Sequence, residues 1–239
     1  ATRRRRRRMA AWPLQRMWSH PVVVREQGRE RVVPDAELPS LAPATLLRRP
    51  LPPALADALL EELLAESKTS WKPSAWMVYG QRRTTPRASG VYWLDEAKEA
   101  RSSPQASRPI GVPSVALREA ARLLQSLVEG LRPGASWTPS LVLGNRYEGG
   151  ADCVGWHSDF LNVLGPRPVI VGLSLGATRP FRLRRVAHEE PNTASTSART
   201  VSIPMPHNSA VVMWDDCQEE WQHAVLKQAD SSVGRHPVA

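Results

Sequence analysis

The 239-residue chain is 41% hydrophobic, enough to bury a core, and carries a formal charge of +9. Six of those charges sit in the run Arg3–Arg8, which leaves +3 for the remainder, so the basic character belongs mostly to one end. Two cysteines, Cys153 and Cys217, exclude a dense disulfide framework and a multi-cysteine zinc site, and no run reaches the roughly 20 apolar residues of a membrane-spanning helix.

These absences favour a reducing intracellular compartment, no membrane partner and a monomer. The arginine run has three readings: a nuclear-localisation or nucleic-acid-binding arm, the start of an organellar presequence, or a solvated terminus. The nucleus is favoured over the mitochondrion.

Residues 1–45 mix Arg, Pro and Glu without a sustained period and are expected to form a basic arm, with the folded domain spanning 46–239. After Pro52-Pro53, Leu55, Leu59, Leu60, Leu63 and Leu64 recur at helical spacing. Between Trp71 and Trp93, aromatics, arginines and turn formers alternate as in extended hairpins. A second helix is predicted from an N-cap at Ser114, carrying Leu117, Leu124, Leu127, Val128 and Leu131 on one side and stopping by Gly134. From Ser140 onward, seven short β-rich runs follow one another between Gly, Pro and polar stretches. The predicted fold class is therefore an all-β core with flanking helices, a sandwich or jelly roll.

His157 and Asp159 stand two residues apart on a predicted strand, so their side chains share one face. His223, on a later strand, is the candidate third ligand. Two neutral imidazoles and one carboxylate make the facial triad of non-haem iron(II) oxygenases, which leaves three coordination positions for cosubstrate and O2. A His-x-Asp pair alone is a weak signal, and a lone His is as readily a satisfied core residue. The remaining histidines read as loop or turn residues, and the two cysteines as small packing residues.

The surrounding sequence raises the weight of that pair. Asn145-Arg146-Tyr147 precedes Gly149-Gly150 and Val154-Gly155-Trp156-His157-Ser158-Asp159. Gly172–Arg184, His207–Met213 and Gln218–His223 follow in order. Together these stretches resemble the AlkB family of iron(II) and 2-oxoglutarate dioxygenases over roughly Ser140–Val225. The resemblance implies a double-stranded β-helix in which His157, Asp159 and His223 ligate Fe(II), while Asn145 and Tyr147 hydrogen-bond 2-oxoglutarate. A turn amide and a core aromatic are the plainer readings of the latter two.

The family's activity would be oxidative dealkylation of DNA or RNA carrying alkylated bases, with 2-oxoglutarate converted to succinate and the alkyl carbon released as an aldehyde. A base must leave its stack to be attacked, which calls for aromatic surface and basic residues on the flanking backbone. Trp76, Tyr79, Arg87 and Trp156 are the candidate substrate contacts, with Trp71, Arg82, Arg83 and Tyr92 nearby. Thr85-Pro86-Arg87 resembles a Pro-Arg element of the family. Hairpin packing is the competing role for the aromatics, and Trp156 points either into the pocket or into the sheet's other layer. Phe160-Leu161 stand where many nucleic-acid-acting members carry further acids, a departure that bears on base recognition.

In the family, the strand of the distal His is followed by a polar loop and one more strand with two arginines, the first gripping the far carboxylate of 2-oxoglutarate. Here the sequence runs from Trp221 to Ala239 without that pattern, and Arg235 lies between Gly and His-Pro as in a loop. The domain is thus expected to be truncated before its last strand. Two readings from other classes remain beside dealkylation: a catalytically silent nucleic-acid-binding fragment, and an oxygenase of protein or small-molecule substrates.

Overall fold

The computed structural model describes residues 21–73, 75–78, 81–95, 111–134, 136–186 and 199–229. Two antiparallel sheets face each other. The larger has six strands in the order β2-β1-β11-β10-β13-β8. They are β1 (Val22–Glu26), β2 (Arg29–Val33), β8 (Val154–His157), β10 (Arg179–Arg185), β11 (Thr200–Met205) and β13 (Trp221–Val225). The smaller has the order β3-β12-β9, made of β3 (Ala44–Arg48), β9 (Ile170–Ser174) and β12 (Ser209–Met213).

The chain crosses between the sheets from β8 to β9 to β10 and again from β11 to β12 to β13, the winding of a jelly roll. Alternation along the strands fills the space between them. Val22, Val24, Leu183, Val201 and Ile203 from the large sheet meet Ala44, Leu46, Val211 and Met213 from the small one.

Two helices cover the outside of the smaller sheet. In α2 (Pro53–Thr69), which follows the single turn α1 (Leu38–Leu41), proline opens the first turn, where no backbone donor is needed. In α3 (Val115–Leu131), the Ser114 hydroxyl accepts from the Leu117 backbone N–H at 3.0 Å, the predicted cap. Leu117, Ala120, Leu124 and Val128 give α3 its buried stripe. Leu117, Ala120 and Leu124 cluster with Ala56 and Leu59 of α2 and with Ala210 of β12.

All seven predicted strands after Ser140 form. The N-terminal boundary differs from the expected one: β1, β2, α1 and β3, between Val22 and Arg48, belong to the fold, and of the arm expected over 1–45, residues 1–20 lie outside the described residues. The physical reason is a hairpin. Val22-Val23-Val24 pairs with Arg31-Val32-Val33 across the two-residue turn Gln27-Gly28, whose φ values of 51° and 75° suit the right-handed twist of the flanking strands.

A separate ladder pairs β6 (Ala88–Trp93) with β7 (Leu141–Arg146), and another pairs β4 (Ala75–Val78) with β5 (Gln81–Thr84). Trp71 lies so close to β7 that a Cβ on Gly144 would fall 2.1 Å from its ring, so only glycine fits there. Val142 of β7 and Val171 of β9 pack on the same helix cluster, and the Trp137 indole N–H donates to the Val169 carbonyl at 2.9 Å where those strands begin. Among the described residues, β7 and β9 each leave one strand edge unpaired.

Candidate metal centre

β8 and β13 are antiparallel neighbours in which His223 sits directly opposite His157. Register therefore brings together two imidazoles 66 positions apart in sequence. Their ring centroids are 4.2 Å apart. Asp159, two residues beyond His157, completes the group: one oxygen lies 3.9 Å from His157 Nε2 and the other 3.7 Å from His223 Nε2. The three ligand atoms all fall within 4.8 Å of one another.

The protonation states suit a metal. His157 Nδ1 lies 2.8 Å from the Gly155 carbonyl, which can only accept, so Nδ1 donates there and Nε2, turned toward Asp159, is the nitrogen placed to ligate a metal. His223 is buried, and burial together with the nearby His157 pushes its pKa down to about 3, which makes it neutral at physiological pH. Its Nδ1 is buried without a hydrogen-bond partner. Burial raises the Asp159 carboxyl above its ordinary range, against a lowering by His157. A divalent cation among these groups would offset the cost of a buried carboxylate, so the residues present fit one.

Neighbouring side chains hold the ligands in place. The Asp159 backbone N–H donates to the Gln218 side-chain oxygen at 2.8 Å, and Gln218 is itself buried against the Met213 sulfur. The Ser158 hydroxyl donates to the Trp221 carbonyl at 2.7 Å, tying the two ligand strands together. Phe181 stacks on the His223 ring at 5.4 Å and walls off one side.

The other expected site residues fall in several places. Asn145 is exposed at the end of β7, and its side-chain oxygen accepts from Arg87 Nε at 2.7 Å. Tyr147 is more enclosed; the Arg179 guanidinium lies 5.3 Å from its ring centre, and burial raises its pKa. Arg87 thus touches one of the two expected 2-oxoglutarate residues and also approaches the Cys153 carbonyl at 3.5 Å. Trp156 lies against Arg184, whose guanidinium is 4.4 Å from its ring centre and also donates to the side-chain oxygen of Gln222. Arg184 pairs with Gln222, one residue from the Leu183–His223 pair, so Trp156 occupies the face of the large sheet opposite the ligand His223. The side chain of Trp76 and the whole of Tyr79 lie outside the described residues.

Two buried residues had no assigned role in the sequence reading. Arg179 donates to the carbonyls of Gly149, Asp152 and Leu226 at 3.0, 2.9 and 3.0 Å, and so joins the loop after Tyr147 to the exit of β13. Gln218 supports Asp159 from a position 59 residues away. Their neighbours in sequence carry no signal of either contact.

The sequence pattern of the 2OG-Fe(II) oxygenase superfamily matches residues 43–237. Over 113 residues the chain is 38% identical to "Alpha-ketoglutarate-dependent dioxygenase alkB homolog 3" of Mus musculus, which covers 47% of this chain and 40% of that one. Over 117 residues it is 35% identical to "DNA oxidative demethylase ALKBH2" of Arabidopsis thaliana, covering 43% of this chain and 37% of that one. The matches thus span less than half the length of these curated relatives. A solved structure described as "The structure of OsALKBH1" superposes with a TM-score of 0.47 at 16% identity, over 78% of this chain and 85% of that one, a likeness too distant to add to the strand order.

Proposed function

We propose, for a chain that belongs to the 2OG-Fe(II) oxygenase superfamily, that it oxidatively dealkylates damaged bases in DNA or RNA. The observation that carries the reading is the convergence of His157, Asp159 and His223 on one point, in a chain whose relatives include a DNA oxidative demethylase. Iron(II) and 2-oxoglutarate, when bound, supply the oxidising power to hydroxylate an alkyl group. Three protein ligands, rather than a full set, leave positions for the cosubstrate. Asn145 and Tyr147 orient it from the end of β7, with Arg87 as the partner that Asn145 exchanges or shares. Phe181 keeps water from one side of His223. Arg87 faces the substrate strand, Trp76 and Tyr79 keep the substrate-contact roles the resemblance implies, and a nuclear location fits such a substrate.

One observation favours a second reading. Phe160 and Val163 are 82% and 77% exposed in the turn directly after Asp159, an apolar surface suited to a protein side chain or a small apolar molecule. Incubation with iron(II), ascorbate, 2-oxoglutarate and an oligonucleotide bearing a methylated base separates the two. Dealkylation yields succinate and repaired base in equal amounts. Succinate formed without base repair would transfer the assignment to the second reading, and neither product would leave a binding fragment.

A further inference from the structure

The face of the large sheet that points away from the iron ligands is organised as well. Register puts Glu30, Arg25, Thr200, Arg184 and Gln222 in one line across β2, β1, β11, β10 and β13, with Trp156 of the edge strand β8 beside Arg184. The next line carries Val32, Val23, Ser202, Arg182 and Ala224. Among the described residues, Glu30 is the one carboxylate in these two lines, and it pairs with Arg25.

Among the described residues, Arg182 and Arg184 have no carboxylate partner. Arg184 donates two bonds to the neutral side-chain oxygen of Gln222, at 3.0 and 2.7 Å, and packs on Trp156. Arg182 makes no hydrogen bond or ion pair among the described residues, while partial burial and the nearby Arg25 both disfavour its charge. Partly desolvated guanidinium groups with no counter-charge among the described residues are better satisfied by an anion than by water. Two residues along one strand stand about 7 Å apart, comparable with the phosphate repeat of an extended single strand. Thr200, Ser202 and Gln222 add neutral hydrogen-bonding groups between the charges.

We propose that this outer face is a docking track for the phosphodiester backbone of a single-stranded nucleic acid, with Arg182 and Arg184 each taking one phosphate. β8 is the edge strand of the sheet and carries Trp156 on the track side and His157 on the iron side. A strand leaving the iron site can therefore round that edge onto the track. The inference builds on a nucleic-acid substrate, but undamaged strand tests it without any turnover.

The measurement is fluorescence anisotropy of a labelled, undamaged single-stranded oligonucleotide with the 239-residue chain, across about 50 to 200 mM salt. The double variant Arg182→Gln/Arg184→Gln lowers the slope of log affinity against log salt by about 1.4, which is two contacts at about 0.7 each for single strands. Arg3–Arg8 contribute equally to both proteins and cancel. The Arg182→Lys/Arg184→Lys variant keeps the slope, and Mn(II) titration gives the same metal affinity in all three proteins. A slope unchanged in the glutamine pair, or lowered equally in the lysine pair, overturns the track. Poly-glutamate competing as well as the oligonucleotide also overturns it and reassigns the face to an acidic protein. Slopes that respond while no base is repaired leave the track standing and remove the dealkylation reading. Repair with an unresponsive slope does the reverse.

Discussion

The ligand pair of strands, β8 with β13, and the end of β7 are built on different principles. In the first, cross-strand register sets two histidines face to face, and buried side chains fix the third ligand through Gln218 and Ser158. In the second, Asn145 is exposed and engaged by a single arginine that a ligand can displace. Backbone geometry therefore determines the metal centre, whereas the proposed cosubstrate side would depend on exchanging one side-chain bond for another. Errors at the first should be unforgiving, and those at the second graded.

The largest expected effect is loss of a ligand. His223→Ala or Asp159→Ala should abolish turnover and weaken Co(II) binding, read by its visible absorption, by more than about 100-fold. Folding should survive in both; unchanged Co(II) spectra would remove the triad.

Cys217, in the turn before β13, is buried at 1% exposure, and burial with the acids Asp216, Asp159 and Glu219 pushes its thiol up to about 12. At pH 8 its thiolate fraction is then roughly a thousandfold below that of an ordinary thiol. Iodoacetamide should label Cys153, which is partly exposed on the β7 side, while Cys217 stays unmodified until the chain is denatured. Equal labelling rates, measured by peptide mass, would mean that the metal side is not closed as described.

Gln218→Leu keeps the volume but removes the acceptor for the Asp159 N–H. The expected cost is about 10- to 100-fold in metal affinity with little change in melting temperature. Smallest of all, Asn145→Ala should raise the KM for 2-oxoglutarate by about fivefold, the worth of roughly 1 kcal/mol, without altering metal affinity. A metal affinity that followed Asn145 would erase the contrast between the two regions.

Much of this was legible in the sequence because the signals were local. The strands after Ser140 alternate plainly, Ser114 announces its helix, and His157 and Asp159 are two residues apart. The β1–β2 hairpin is less plain: Val22-Val23-Val24, Gln27-Gly28 and Val32-Val33 spell it out, but they sit directly behind an arginine-rich stretch whose composition masks a strand pattern. Trp156 falls on the side that plain alternation gives to the neighbour of an inward His157, the sheet's other face. Gln218 and Arg179 act over separations of 59 and up to 47 residues. Such contacts leave no periodic trace.

The cross-strand pairing of His157 with His223 also orders events in time. A chain emerging from the ribosome presents His157 and Asp159 first, and 63 further residues must follow before His223 exists to join them. Until β13 docks between β10 and β8, the nascent chain offers only a two-ligand half-site, too weak to compete for iron. Because β13 is the last of the described strands to be synthesised, metal capture follows the making of the sheet rather than guiding it. Iron-starved cells would accumulate folded, metal-free protein instead of unfolded chain.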